Sequence, residues 1–166
     1  YDFMKKEMDE GRQCFVIYPI IEESEKMDWK ASDTGFKNLS EKVFIDYKVG
    51  YIHGKMKKET RDEQMAAMAN NEVQCLVATT VVEVGIDIPN ATVMVIENAD
   101  RFGLTQLHQL RGRIGRGNSQ SYCILVKNSR SPEAEHRLKV MESTSNGFKI
   151  SDEDLKLRGP GEFFGT

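Results

Sequence analysis

The segment Gln109-Leu110-Arg111-Gly112-Arg113-Ile114-Gly115-Arg116-Gly117 puts three arginines within six residues, spaced by glycines. Arg113 and Arg116 are three apart, so on a helix or at its end they share a face. Gly112 and Gly115 let a phosphate or another backbone approach closely. A guanidinium offers phosphate oxygens a fixed fork of donors. Set against a γ-phosphate, such an arginine stabilises charge in the transition state and is worth roughly 10³–10⁵ in rate. The competing reading is a solvated basic face. Two Gly-Arg pairs in a helix-compatible window are wasteful for stability, which favours the chemical reading.

A second segment runs Ala78-Thr79-Thr80-Val81-Val82-Glu83-Val84-Gly85-Ile86-Asp87-Ile88-Pro89-Asn90. An apolar strand ends in paired hydroxyls and then reaches Gly-x-Asp-x-Pro. Thr79 and Thr80 can hydrogen-bond a nucleic-acid phosphate without reading sequence. Gly85 frees the backbone, and Asp87 can accept from a ribose hydroxyl or an arginine. An equal alternative is a helix cap at Thr79 or Thr80 and a proline turn begun by Asp87. The third segment, Tyr51-Ile52-His53-Gly54-Lys55-Met56, puts a His-Gly pair at a strand end. A lone histidine there is more often structural than catalytic, so His53 receives no acid–base role.

The sequence contains no phosphate-binding loop of the form G-x-x-x-x-G-K-[ST]. No carboxylate pair reads as a magnesium site, and Asp152, Glu153 and Asp154 fall in an acidic surface run. Arginines suited to phosphate therefore occur without the means to hold a triphosphate and its metal. A lobe that completes another lobe's site fits this better than a self-sufficient hydrolase.

These residues must be positioned by elements that the apolar spacing predicts. Strands are expected at Cys14–Tyr18, Lys48–His53, Gln74–Thr79, Thr92–Glu97 and Ser121–Val126. Helices are expected at Asp2–Glu10, Phe36–Phe44, Glu59–Ala69, Leu104–Arg113 and Pro132–Ser143. Ile20–Thr34 is acidic and irregular and reads as a surface loop. Strands rich in Val and Ile, apolar on both faces and separated by helices, imply a parallel sheet covered on both sides. Ligands in such a sheet bind beyond the carboxyl ends of the strands. That edge would hold His53-Gly54, Thr79-Thr80 and Glu97-Asn98.

The bulk properties bound the class. The 166 residues, 39% hydrophobic and 30% charged, suit one globular domain, and no apolar run exceeds strand length. Cys14, Cys75 and Cys123 are far apart and read as buried reduced thiols, not as a zinc site. The net charge of −3 does not suit a bulk electrostatic nucleic-acid coat. Between Arg101 and Lys127, however, there are five basic residues and no acid, which suggests a specific anion site. The opening at Tyr1 without a methionine and the stop at Thr166 in mid-pattern point to an excised piece.

The three segments resemble motifs IV, V and VI of superfamily 2 helicases, in order. Gln109, Gly112, Arg113 and Arg116 match motif VI, Thr79 through Asp87 match motif V, and His53-Gly54 stands for motif IV. Finer wording is similar to RecG-type ATP-dependent DNA helicases. It comprises Gln13 to Ser24, Ala91 to Leu104 and the tail Asp154 to Thr166.

The resemblance implies a RecA-like three-layer α/β sandwich with a mostly parallel sheet and a C-terminal helical extension. The second motor lobe would occupy 1–130. The start of a translocation-coupling extension would occupy 131–166. It implies that Arg113 and Arg116 reach the γ-phosphate of ATP, which is held with Mg2+ mainly by a missing first lobe. Gly85, Asp87, Gln109 and Gly112 would line the nucleotide cleft. His53, Gly54, Thr79, Thr80 and Arg158 would contact nucleic acid or couple cleft closure to it. The partners implied are branched DNA (stalled forks and Holliday junctions) and the first lobe and wedge domain of the same parent chain, in a bacterial cytoplasm. Lys26–Gly35 departs from the family pattern in length and content.

Three other readings compete. A transcription-repair coupling translocase shares the motor, but is expected to lack Pro-Ile-Ile-Glu-Glu-Ser and Pro-Gly-Glu-Phe-Phe-Gly. A non-catalytic nucleic-acid-binding module would use the arginines for salt-sensitive affinity alone. An RNA helicase lobe fits motifs V and VI but not the tail.

Overall fold

The apolar runs do form strands. In the computed structural model, which describes residues 1–20, 25–79, 88–114, 120–126 and 132–143, five of them make one wholly parallel sheet. In chain order the elements are α1 (Asp2–Asp9), β1 (Gln13–Tyr18), α2 (Glu25–Asn38), a π-helical turn (Leu39–Val43), β2 (Val49–Ile52) and α3 (Lys58–Ala69). Then come β3 (Cys75–Thr79), β4 (Ala91–Ile96), a 3₁₀ turn (Ala99–Arg101), α4 (Leu104–Arg111), β5 (Tyr122–Leu125) and α5 (Pro132–Ser143). The spatial order is β2-β3-β1-β4-β5. β1 lies at the centre, pairing Val16 with Val77 on one side and with Val95 on the other.

Alternation along the strands divides the core into two layers. Phe15, Ile17, Leu76, Ala78, Met94 and Ile96 face one side, where they pack with Met68 of α3, Leu104, Leu107 and Leu110 of α4, and Val140 and Met141 of α5. Cys14, Val16, Cys75, Val77, Val93 and Val95 face the other, against Met4 and Met8 of α1 and the Leu39–Phe44 region. The three-layer parallel architecture expected from the sequence is the one observed.

At the amino end of the sheet one buried polar side chain ties elements far apart in sequence. Gln13 Nε2 donates to the carbonyls of Met68 and Val73, each at 2.7 Å, and Gln13 Oε1 accepts from Asn90 at 3.0 Å. Each of these buried groups is thereby satisfied.

The expected loop at Ile20–Thr34 is wrong. Glu25–Asn38 is an α-helix, and the helix expected at Phe36–Phe44 is its end followed by the π-helical turn. The inward face of α2 carries few apolar groups, which is why hydrophobic spacing misses it. Its buried positions are Asp28 and Ser32. Asp28 is neutralised by Arg101, and Ser32 Oγ shares a 2.6 Å hydrogen bond with the Tyr51 hydroxyl. Gly35 completes that face by absence of a side chain. A Cβ there would lie 2.0 Å from the Tyr18 hydroxyl, so a larger residue would have to displace the Tyr18 ring or lift α2 off β1.

Candidate nucleotide and nucleic-acid edge

Motif VI lies on and just beyond α4. Leu104, Leu107 and Leu110 recur on one face and are fully buried, which fixes the helix against the sheet. The expected helix to Arg113 stops at Arg111, with Gly112 as its C-cap. Arg113 therefore sits past the helix end, anchored by its N–H to the Leu110 carbonyl at 3.0 Å. Gln109 and Gly112 are exposed and Arg113 is half-buried.

The run of five basic residues is not one anion site. Arg101 makes a two-pronged pair with Asp28 of α2, Nη1 to Oδ1 at 2.5 Å and Nη2 to Oδ2 at 3.3 Å. Arg111 Nη1 donates to the Met141 carbonyl of α5 at 2.5 Å, and Nη2 lies 3.3 Å from His108 Nδ1. Arg113 has no side-chain hydrogen bond or ion pair among the described residues. Its guanidinium is thus available to an anion that the chain meets elsewhere.

The strand ends gather the other residues. The register that sets Ile52 beside Ala78 brings His53 and Thr79 to adjacent carboxyl ends of β2 and β3. Thr79 is fully buried, and its Oγ1 has no hydrogen-bond partner among the described residues. An orphaned hydroxyl of this kind costs stability unless a polar group reaches it. Glu97, half-buried at the end of β4, has its carboxyl pKa raised by burial.

His53 belongs to an aromatic cluster that sequence reasoning missed. Its ring meets Trp29 edge-on at 5.1 Å and Tyr51 at 4.8 Å, and Phe36 stacks on Tyr51 at 4.9 Å. The Lys55 ammonium lies over the Trp29 ring at 4.7 Å. His53 Nδ1 accepts from the Lys55 N–H at 3.2 Å, and the Tyr51 hydroxyl donates to Asp33 at 2.6 Å. Burial lowers the His53 pKa, Asp33 partly opposes this and Lys55 adds to it. The imidazole is thus packed among these rings, beside Lys55. Gly54 beside it is exposed. A tryptophan standing alone in an acidic segment was the available signal for this cluster.

Thr80, Gly85, Asp87, Arg116 and Arg158 lie outside the described residues. Among the described residues, Arg113 brings to this parallel-sheet lobe a guanidinium with no side-chain partner, which suits an anion such as a nucleotide phosphate, and Thr79 brings an unsatisfied buried hydroxyl.

The comparisons agree with this geometry. The chain belongs to the helicase conserved C-terminal domain family, whose model matches residues 1–118. Within that class its similarity is to RecG. It is 54% identical over all 166 residues to the ATP-dependent DNA helicase RecG of Synechocystis sp., of which it covers 20%. It is 50% identical over its whole length to the RecG of Thermotoga maritima, of which it covers 21%. The chain thus spans about a fifth of the curated relatives it matches. A solved structure described as RecG bound to a three-way DNA junction superposes with a TM-score of 0.80 and 46% identity, over 98% of this chain and 21% of that one. The expected RecG resemblance and RecA-like lobe are therefore correct. No helix among the described residues is long and apolar enough to cross a membrane.

Proposed function

We propose that this chain is the second motor lobe of an ATP-dependent DNA helicase that remodels branched DNA, such as stalled forks and Holliday junctions, in a bacterial cytoplasm. The carrying observation is the match across the whole chain to RecG helicases, one of them solved with a three-way junction. In this reading 1–130 is the lobe and 131–166 begins the translocation-coupling extension.

ATP with Mg2+, held by the first lobe, supplies a transferable phosphoryl group. This chain's residues act on it from across the cleft. Arg113 and Arg116 neutralise charge that develops on the γ-phosphate, and Gly85, Asp87, Gln109 and Gly112 line the cleft wall. His53, Gly54, Thr79, Thr80 and Arg158 contact DNA or transmit closure to it. Closure of the two lobes brings the arginines into place, and hydrolysis releases them. The lack of a side-chain partner for Arg113 among the described residues supports this division of labour, because a guanidinium already paired would have to break that pair first.

The test is ATP hydrolysis by the full-length parent and by this chain alone, each with and without branched DNA. The reading expects DNA-stimulated turnover by the parent and none by the chain. Appreciable turnover by the purified chain overturns it.

A further inference from the structure

We propose that the Asp28–Arg101 ion pair is a positioning device for Arg113, fixing the entry to the helix that carries that arginine past its far end. The inference rests on the motor reading above and adds two residues to it.

The sheet order supplies the first observation. β1 leads away toward β2, whereas its neighbour β4 leads away toward β5. Their carboxyl ends are the point where the connections diverge, which is where open parallel sheets leave a crevice. Asp28 stands in the first turn of the helix after β1, and Arg101 in the turn after β4. Their pair closes the divergence. Asp28 is 5% exposed at its side chain and Arg101 31%, so the pair is shielded from water on the acid's side. Two parallel contacts fix direction as well as distance.

The second observation is the continuity from Arg101 to Arg113. Phe102 is buried, and the Gly103 N–H donates to Gln106 Oε1 at 3.1 Å, which sets the first turn of α4. Leu104, Leu107 and Leu110 then seat one face of the helix on the sheet, leaving its direction to the polar anchors at its ends. At the other end Arg111 reaches the Met141 carbonyl. The helix is held at both ends by guanidinium groups that are not themselves offered to a phosphate, and Arg113 follows two residues beyond the second anchor. A rotation of α4 permitted by loss of the first anchor moves Arg113. Misplacement of a catalytic group by about 1 Å can cost on the order of 10²-fold in rate.

The test uses the full-length parent. Asp28→Asn with Arg101→Gln removes both charges, so no uncompensated buried charge remains. Arg101→Lys keeps the charge but loses the fork and guards against a mere folding defect. Without nucleotide, amide hydrogen exchange should quicken across 99–113 in both variants and stay unchanged in β1 and β3. With ATP and DNA, kcat should fall about tenfold while the KM for ATP holds within about twofold. In an Arg113→Lys background, the paired-charge removal should add no further loss. Unchanged exchange over 99–113, or an equal kcat loss in both backgrounds, overturns the inference while leaving the motor reading intact. Wild-type turnover by Arg113→Lys and Arg113→Ala overturns the motor reading and this inference with it.

Discussion

Arg111 Nη1 donates to the Met141 carbonyl at 2.5 Å, so the first arginine of motif VI is spent on joining α4 to α5. A charged donor on a partly buried carbonyl contributes about 1.5–3 kcal/mol. Arg111→Met should therefore loosen α5 from the lobe. Hydrogen exchange should rise over Pro132–Ser143 before it rises in the sheet, and the urea midpoint should drop. If α5 keeps its protection, its other contacts, among them the packing of Leu138, Val140 and Met141, hold it in place.

Gly35 offers a test with an unusual sign. Alanine in the middle of a helix is normally better than glycine by about 1 kcal/mol. Here the new methyl group would fall 2.0 Å from the Tyr18 hydroxyl and 2.5 Å from its ring. Gly35→Ala should instead destabilise by about 1–3 kcal/mol, as overpacked cores do. Denaturant unfolding measures it. A neutral or stabilising result would mean that the Tyr18 ring moves aside, or that α2 lifts off β1, at little cost.

His53 gives the lobe a pH dependence. Its folded pKa lies below the ordinary value of 6.5, chiefly through burial. As pH falls below that value, the unfolded chain takes up the proton before the native chain does. The His53 contribution is thus complete above pH 6.5 and is lost as pH falls through the window beneath it. Urea midpoints at about pH 7.5 and about pH 5.5 should differ in the wild type, and His53→Gln should narrow the difference. An unaltered difference would assign the titration to another group.

The sequence made the sheet legible because four of its five strands are buried on both faces and read as continuous apolar runs. Cys75–Thr79 and Ala91–Ile96 are examples. The density of glycines and arginines in motif VI favours a chemical reading, yet two of them have structural uses: Arg111 reaches the Met141 carbonyl and Gly112 caps α4. α2 was not legible, because its inward face is built from Asp28, Ser32 and Gly35. Each of these makes sense only through a partner 17 to 73 residues away: Arg101, Tyr51 and Tyr18 respectively. The same long-range pairing explains why five basic residues looked like one anion site. Charge counted along the chain cannot see that Arg101 is answered by Asp28 or Arg111 by a carbonyl.

The central claim is that Arg113, which has no side-chain partner among the described residues, acts on a phosphate supplied from the other lobe. The most direct measurement compares nucleotide binding and steady-state hydrolysis by the full-length parent, wild type against Arg113→Ala, with branched DNA present. The account predicts nucleotide affinity within about threefold and turnover reduced by roughly 10³-fold or more. Turnover at the wild-type rate would contradict it and leave motif VI as a basic patch that contributes salt-sensitive affinity alone.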